Sequence, residues 1–222
     1  MLVEKGYVRL SHGPHENFAR PAVDALFRSA AVAYGPAVIG VVLTGQLDDG
    51  TAGLLAIKDR GGTAIVQEPS EAAAPSMPSS ALRHVPVDHR CGLAEMAGLL
   101  TRLACDDPSG AASEADTQAL IETENRIAQG VFRVEDWWNF EQMSTPSGYN
   151  CPTCRSAVYE VNDKRLLRFR CRSGHAFSAR SLLSGQADAR KNLLSSVFGV
   201  LVEETGLSRF RASRLAAVDG AA

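Results

Sequence analysis

Four side chains that commonly bind metal ions lie close together in the second half of the chain. Cys151 and Cys154 form a Cys-x2-Cys pair, and Cys171 and His175 follow after sixteen intervening residues. A Cys-x2-Cys turn brings two thiolates to one ion, and a second pair across a hairpin completes the tetrahedron that zinc prefers. The spacing therefore predicts a structural zinc site without an open coordination position. The alternative is a coincidental cluster of reduced thiols.

The other two cysteines, Cys91 and Cys105, are expected to be plain buried thiols. Five cysteines are an odd number, and the N-terminal residues MLVEKGYVRL show no secretion signal, which together argue against a disulfide framework. The longest apolar runs, near residues 37–43 and 197–202, are too short to span a membrane. A cytoplasmic protein without a membrane span is the expectation.

A composition change near residue 105 predicts two units joined by a linker. Residues 106–116 are rich in Ser, Asp and Ala, as linkers are. Residues 1–105 alternate helical and strand signals, which predicts a doubly wound α/β sheet. The predicted helices are 21–34, 51–59, 77–84 and 93–104, and the predicted strands are 37–43, 63–67 and 85–87.

Residues 117–222 have a different pattern. A helix is predicted over Glu114–Val131, a zinc ribbon over about 146–177 and a long helix over 178–217. In the ribbon, Leu167, Phe169 and Cys171 alternate with Arg168 and Arg170, which is typical of a strand with one apolar face. The expected fold class is therefore α/β with a partial doubly wound parallel sheet, followed by a small zinc ribbon and a long helix.

The net charge of −2 shows no general preference for polyanions, but the charge is unevenly distributed. Residues 155–191 hold nine basic and three acidic side chains. This excess could bind an acidic partner, although a solvated surface is the favoured interpretation. Nucleic-acid binding would depend on four arginines alone and is not expected; they are Arg165, Arg168, Arg170 and Arg172.

One acidic turn, TGQLDDG at residues 44–50, follows the first predicted buried strand. Ligand and active sites of doubly wound sheets lie at the carboxyl ends of the strands. Asp49 could therefore have a catalytic role, or it could only form a turn and cap the next helix. From the residues alone the structural role is favoured.

Four segments occur in a recognisable order: RPAVDALFRSAA at 20–31, VLTGQLDDGTAGLLAI at 42–57, GGTAIVQEP at 61–69 and SMP at 76–78. Together they resemble the catalytic domain of the chemotaxis protein-glutamate methylesterases. Residues 146–184 are similar to the zinc-ribbon tail of a subset of these proteins. The resemblance covers most of the chain and implies the C-terminal part of an esterase domain followed by that tail.

The resemblance implies a bacterial hydrolase that cleaves glutamate methyl esters on methyl-accepting chemoreceptors or related signalling proteins. Such enzymes use a serine, a histidine and an aspartate and need no catalytic cofactor. Asp49 corresponds to the family aspartate, and Gln46 lies in the region that helps to form the oxyanion hole. Asp48 fills a variable position and is expected to be solvated.

Two departures from the family pattern change the expectation. Leu47 stands where the family has glycine, and no Gly-x-Ser-x-Gly turn occurs in the chain. The histidines His12, His15, His84 and His89 do not match the family histidine and are expected to have surface or packing roles. We therefore expect a fragment without nucleophile and base that is inactive alone. The alternative is a zinc-stabilised protein-binding or regulatory module with a vestigial esterase part.

Overall fold

The computed structural model describes residues 1–108, 110–130 and 133–219. Ser109, in the predicted linker, and Val131, the last residue of the helix predicted over Glu114–Val131, lie outside this part, as do Phe132 and residues 220–222. The strands are β1 (Leu2–Glu4), β2 (Tyr7–Arg9), β3 (Ile39–Val42), β4 (Thr63–Gln67), β5 (His89–Cys91), β6 (Ser144–Asn150), β7 (Ala157–Val161), β8 (Arg168–Cys171) and β9 (Ala176–Ser178). The helices are α1 (Val23–Tyr34), α2 (Thr51–Asp59), α3 (Ser76–His84), α4 (Leu93–Cys105), α5 (Ala115–Ala128), α6 (Val134–Gln142) and α7 (Ala179–Asp219).

The α/β part is built on a parallel sheet in which β4 lies between β3 and β5. The side chains of β4 alternate between two apolar layers, as expected for a central parallel strand. Val66 packs with Leu54 and Ile57 of α2 on one face, whereas Ile65 packs with Met96 of α4 on the other. The α/β fold class that the sequence predicts is confirmed.

The third strand of this sheet lies four residues later than the sequence pattern predicts. The extended conformation predicted at 85–87 is present at Val85, but the ladder to β4 begins only at the pair Ile65↔His89. Asp88 explains the register. Its backbone N–H donates to Ala64 O over 3.0 Å, and its carboxylate accepts the Ala64 N–H over 2.7 Å.

The ribbon is an antiparallel meander in the order β6-β7-β8-β9. One face of it packs an apolar cluster that includes Val158, Phe169 and Phe177 beside two of the cysteines. Val161, at the end of β7, packs instead with α5 and α6, where its neighbours include Ile127 and Phe140. The ribbon is thus attached to the helices that precede it.

Residues Met1–Leu182 form one compact unit and Leu183–Ala222 a second. The predicted division at residue 105 therefore does not coincide with a boundary between compact units, and it stays a prediction about sequence organisation. The segment after α4 is bound to α2, since the Ser113 N–H donates to Asp59 O over 2.7 Å and Gln118 Nε2 donates to the same oxygen over 2.7 Å.

A buried network of charges joins the ribbon to the α/β part. Arg170 is fully buried and donates to Glu124 Oε1 over 3.0 Å and to Glu16 Oε1 over 3.2 Å. Arg168 donates to Glu124 Oε2 over 2.5 Å, and Arg28 of α1 forms an ion pair with Glu16. The favoured interpretation of this basic segment as a solvated surface is wrong for β8, because both of its arginines turn inward onto carboxylates.

The charge balance of this network determines the protonation of its glutamates. Burial alone would raise the pKa of Glu124, but the three neighbouring guanidinium groups outweigh this effect and lower it well below its usual range. A carboxyl with a lowered pKa in the folded state stabilises the fold fully above its unfolded-state pKa, about pH 4.5. This stabilisation is lost as the pH falls through the folded-state pKa.

The second compact unit consists of the rest of α7. Many of its large apolar side chains are more than half exposed, and the list includes Leu183, Leu193, Leu194, Val197, Phe198, Leu201, Leu207 and Phe210. No helix among the described residues combines the length and apolarity that would let it cross a membrane.

Replacing one glutamate of the buried network is expected to destabilise the first unit strongly. Glu124→Gln removes the buried carboxylate that Arg168 and Arg170 share and should lower the free energy of unfolding by about 3–5 kcal/mol. Glu122→Gln, on the same helix, removes only a half-exposed partner of Arg60 and should cost no more than about 1 kcal/mol. Urea unfolding followed by circular dichroism measures both; equal losses would contradict this account of the network.

Candidate active site and metal centre

The acidic turn begins directly after β3, at the carboxyl edge of the parallel sheet. Its backbone is held by neighbouring elements: the Thr44 N–H donates to Gln67 Oε1 over 2.9 Å, and the Gly45 N–H donates to Ala74 O over 2.9 Å. The Met77 side chain lies so close to Gly45 that a Cβ there would meet its sulfur at 2.0 Å. A side chain at this point of the turn would therefore have to displace the Met77 side chain.

The Asp49 carboxylate lies at the N-terminus of α1. Its Oδ2 accepts the Val23 N–H over 2.9 Å, and its Oδ1 accepts the N–H groups of Asp24 and Gly50, each over 3.1 Å. The first N–H groups of a helix have no partner within the helix and carry a partial positive charge, so they hold a carboxylate well. Asp49 is half-buried and, in the part of the chain that the structure describes, no histidine is hydrogen-bonded to it.

Leu47 has a backbone φ of 60°, in the left-handed region that favours glycine. A residue with a side chain thus adopts here a conformation that costs energy without glycine. Gln46 is exposed at the tip of the turn. Its assignment to an oxyanion region stays a prediction.

Three further residues lie at the two aspartates of the turn, Asn17 and Asp24 at Asp49 and Ser178 at Asp48, and none of them was predicted as a site residue. Asn17 Nδ2 donates to Asp24 Oδ2 over 2.9 Å and to Asp49 Oδ1 over 3.4 Å. Ser178, the last residue of β9, donates through Oγ to Asp48 Oδ1 over 2.8 Å. The expectation that Asp48 is merely solvated is therefore wrong. The RPAVD segment already contained Asp24, but no sequence signal pointed to Asn17 or Ser178, which come from distant parts of the chain.

Asp24 is fully buried next to Asp49. Burial raises its pKa well above the usual value, and the adjacent Asp49 carboxylate raises it further. The Gly53 N–H, which donates to Asp24 Oδ1 over 2.7 Å, favours the ionised form and opposes these effects. Two carboxyl groups close together thus lie at the start of α1, and donor groups surround them.

The structure brings the four predicted metal ligands together. Their ligand atoms all lie within 4.8 Å of one another. The Sγ atoms of Cys154 and Cys171 are 3.6 Å apart, and His175 Nδ1 lies 3.4 Å from Cys171 Sγ and 3.7 Å from Cys151 Sγ. A tetrahedral zinc site with bonds of about 2.0–2.3 Å has ligand–ligand edges of about 3.5–3.8 Å, so the residues present fit such an ion.

The protonation of these ligands also bears on metal binding. Burial raises the pKa of the Cys151 thiol to about 12 in the metal-free chain. Because the thiolate is the form that binds a metal, binding at neutral pH must release the thiol proton. The site can hold a metal ion, and its affinity will fall as the pH falls.

Two tight backbone turns hold the ligands. In the first, the Arg155 N–H donates to Cys151 O over 2.9 Å and Arg155 has a φ of 65°. In the second, the Gly174 N–H donates to Cys171 O over 2.8 Å and Gly174 has a φ of 90°. Each ligand pair thus lies at a turn with one residue in the left-handed region. That residue is a glycine only in the second turn.

The other cysteines and histidines lie apart from the metal ligands, with one exception. Cys91 is partly exposed and Cys105 is exposed, so the prediction that they are buried is wrong. Burial and the nearby carboxylates of Glu95 and Glu71 raise the pKa of Cys91, which makes it a poor nucleophile. The exception is His15, whose ring stacks on that of His175 with centroids 6.1 Å apart.

The α/β sheet and the aspartate turn at its carboxyl edge agree with the family that the motifs indicate. Residues 1–100 match the family model of the CheB methylesterases. A putative protein-glutamate methylesterase/protein-glutamine glutaminase from Leptospira interrogans is 42% identical over 104 residues, which are 46% of this chain and 54% of that protein. Residues 1–100 are therefore similar to the CheB methylesterase family.

One further relative and one solved structure are also similar to this chain. A protein-glutamate methylesterase/protein-glutamine glutaminase from a Nocardioides species is 41% identical over 102 residues, which are 46% of this chain and 28% of that protein. The crystal structure of the Thermotoga maritima CheB methylesterase catalytic domain is 33% identical to this chain and matches it with a TM-score of 0.38. The match covers 39% of this chain and 46% of that domain. The match covers about half or less of the length of these curated relatives.

The two tight turns that hold the metal ligands predict opposite effects of an Arg→Gly substitution at two exposed arginines. Arg155→Gly removes the cost of the left-handed conformation and should raise the stability of the ribbon by about 1 kcal/mol. Arg172→Gly, at a ribbon position without a positive φ, should lower it by about 0.5–1 kcal/mol. Thermal unfolding of the metal-loaded chain measures both shifts. A lower melting temperature for Arg155→Gly would contradict the assignment of strain to this turn.

Proposed function

We propose that this chain forms part of a protein-glutamate methylesterase that hydrolyses glutamate methyl esters on chemoreceptors or related cytoplasmic signalling proteins. The observation that carries the proposal is the Asp49 carboxylate at the edge of a sheet whose sequence is similar to the CheB methylesterase family. Asp49 is the carboxylate of a serine–histidine–aspartate triad in this proposal. The remaining triad members are not identified in the chain.

The surroundings of Asp49 suit a triad carboxylate. A triad carboxylate orients an imidazole and stabilises the imidazolium that forms when the histidine takes the serine proton. Three backbone N–H groups hold the two oxygens of Asp49 in place, whereas the fourth contact, from Asn17 Nδ2, is long at 3.4 Å. Since a carboxylate accepts about four hydrogen bonds, an imidazole N–H would compete with this weakest donor.

Hydrolysis would proceed in two acyl-transfer steps through an acyl-serine. The serine oxygen attacks the ester carbonyl and methanol leaves with the proton that the histidine took from the serine. Water then cleaves the acyl-enzyme and releases the glutamate side chain. In these steps Asp49 remains ionised and keeps the imidazole oriented; Gln46 and the backbone near it would face the oxyanion.

We also propose that the metal of the ribbon is zinc and that its role is structural. Three thiolates and an imidazole are a common ligand set for structural zinc, and four protein ligands leave no position for a substrate. The ribbon is small, so the free energy of metal binding contributes to its folding. The metal would then fix β8 and β9, which carry the ribbon's contacts to the α/β part.

A second candidate is the zinc-stabilised binding or regulatory module with a vestigial esterase part. The observation that favours it is the exposed apolar surface of α7, which is unusual for a helix without a partner. It differs from the enzyme proposal in one measurable respect, because a vestigial esterase part should not support hydrolysis even when a serine and a histidine are supplied.

The esterase proposal is tested in a chimera in which residues 1–100 replace the matching segment of the Nocardioides relative. We expect methanol release from a methylated receptor fragment, and Asp49→Asn should reduce it by at least about 1,000-fold because the imidazole loses its orienting carboxylate. Asp48→Asn is the matched control and should change the rate by less than about fivefold. The unmodified 222-residue chain should release no methanol above background.

Two outcomes would contradict the proposal. An inactive chimera that folds and retains the melting temperature of the relative would favour the vestigial interpretation. Equal losses in Asp48→Asn and Asp49→Asn would remove the specific role of Asp49.

The zinc assignment predicts one zinc ion per chain. Cys171→Ser should abolish it and lower the melting temperature, because the ribbon loses a ligand and with it the folding free energy of the metal. Cys105→Ser, at an exposed thiol outside the ribbon, should retain the full zinc content. Elemental analysis of the purified proteins gives the stoichiometry, and a zinc content that survives Cys171→Ser would contradict the ligand set.

A further inference from the structure

We propose that Asn17 is a positioning residue that couples the metal ribbon to Asp49, so that metal loading and the order of the Asp49 site depend on each other. The catalytic relevance of this coupling rests on the proposed function; the coupling itself does not. Asn17 lies in the loop before α1, between the ribbon and the aspartate turn, and its backbone N–H and both polar groups of its side-chain amide have partners.

On the ribbon side, Asn17 makes three hydrogen bonds. Its backbone N–H donates to Ala176 O over 2.8 Å, while its Oδ1 accepts the Ser178 N–H over 2.9 Å and the Ser181 hydroxyl over 2.7 Å. Ser181 is fully buried, so its hydroxyl has no access to water as an alternative partner. Its other acceptor, Ser178 O, is farther away at 3.2 Å, so the bond to Asn17 Oδ1 is the shorter of its two bonds.

On the aspartate side, the two hydrogens of the Asn17 amide suit two acceptors. Nδ2 lies 2.9 Å from Asp24 Oδ2 and 3.4 Å from Asp49 Oδ1. A donor between two adjacent carboxyl groups reduces their repulsion and keeps each in a fixed orientation. An aspartate at this position would add a third negative charge, and a serine has only one hydrogen to donate.

The backbone around Asn17 also depends on the ribbon. Asn17 and Phe18 have φ angles of 50° and 65°, in a region that costs energy for residues other than glycine. The Ala176 N–H donates to His15 O over 3.1 Å, and the Phe18 ring packs on Phe177 with centroids 5.2 Å apart. The conformation that aims the Asn17 amide at Asp49 is thus held by residues of β9.

The metal ligands are close to these contacts along the chain. His175 directly precedes β9, and the Cys171 N–H donates to His175 O over 2.8 Å, which fixes the start of that strand. Because metal binding contributes to the folding of a small ribbon, loss of the metal should loosen β9 and release Asn17. By linkage, loss of the Asn17 contacts should weaken metal binding by the same factor.

Amide hydrogen exchange on the full 222-residue chain tests the coupling without any hydrolysis. The N–H groups of Val23 and Asp24 donate to Asp49 and report on its site. Removing zinc with a chelator should speed their exchange by at least about tenfold, whereas amides of β4 in the sheet centre should change by less than about twofold. In zinc-loaded protein, Asn17→Ala should reproduce the faster exchange and weaken zinc affinity by about tenfold.

Asn162→Ala is the matched control, since Asn162 is an exposed ribbon residue whose side-chain oxygen accepts a hydrogen bond from Thr145. It should leave both the exchange at Val23 and Asp24 and the zinc affinity within about twofold of the parent chain. If Asn17→Ala does not fold, Ser181→Ala removes one bond to the same amide and should give the same pattern with about a threefold effect.

Three outcomes would overturn the coupling: unchanged exchange at Val23 and Asp24 after chelation, an equal increase in β4, or equal effects of Asn17→Ala and Asn162→Ala. A chimera that releases no methanol would leave these results intact and would count only against the esterase proposal. Conversely, the chimera could be active while the Val23 exchange in the full chain does not depend on the metal. That combination would count only against the coupling.

Discussion

The burial of Arg170 is the constraint on which the rest of the first unit depends. A guanidinium group cannot be desolvated at acceptable cost unless carboxylates surround it, and here Glu16 and Glu124 do so from two different segments. Glu16 lies in the loop before α1 and Glu124 lies in α5. One side chain of the ribbon thereby fixes the relative positions of a loop, a helix and a sheet that are far apart in sequence.

This arrangement connects the network to the aspartate turn. Glu16 directly precedes Asn17, so the loop residue that neutralises Arg170 also determines where the Asn17 amide lies. Arg28, on the second turn of α1, completes the charge balance, while the first turn of the same helix donates its N–H groups to Asp49. A continuous network of ion pairs and hydrogen bonds thus connects the ribbon to the aspartate site.

The metal centre has a corresponding role for the ribbon. The four strands enclose few apolar side chains, and two of these are Cys151 and Cys171 of the Cys/His cluster. A ribbon with so small a core would gain folding free energy from a bound ion, and it is attached to α5 and α6 through Val161. The binding-module hypothesis concerns the exposed apolar residues of α7 beyond Leu182 and is a separate proposal.

Much of the local structure could be predicted from the sequence because its causes are local. The helical spacing of 51–59 and the unbroken apolar run of 63–67 yielded α2 and β4 with their observed bounds, and the cysteine spacing yielded the metal cluster. The motif order led to the CheB methylesterase family, which the comparisons confirmed for residues 1–100. In each case the signal lies within a few residues of the structure that it predicts.

The tertiary structure decided what depends on contacts between distant residues. Alternation in β8 indicated an arginine face exposed to water, yet Glu124, 44 positions from Arg168, turns that face into a buried ion pair. Likewise, the two residues that flank Asp49 from outside its turn, Asn17 and Asp24, belong to a loop and a helix that only folding brings there. A sequence pattern shows which residues are polar along the chain. The three-dimensional packing decides which acidic side chain pairs with which basic one, because the energy of an ion pair depends on distance and burial.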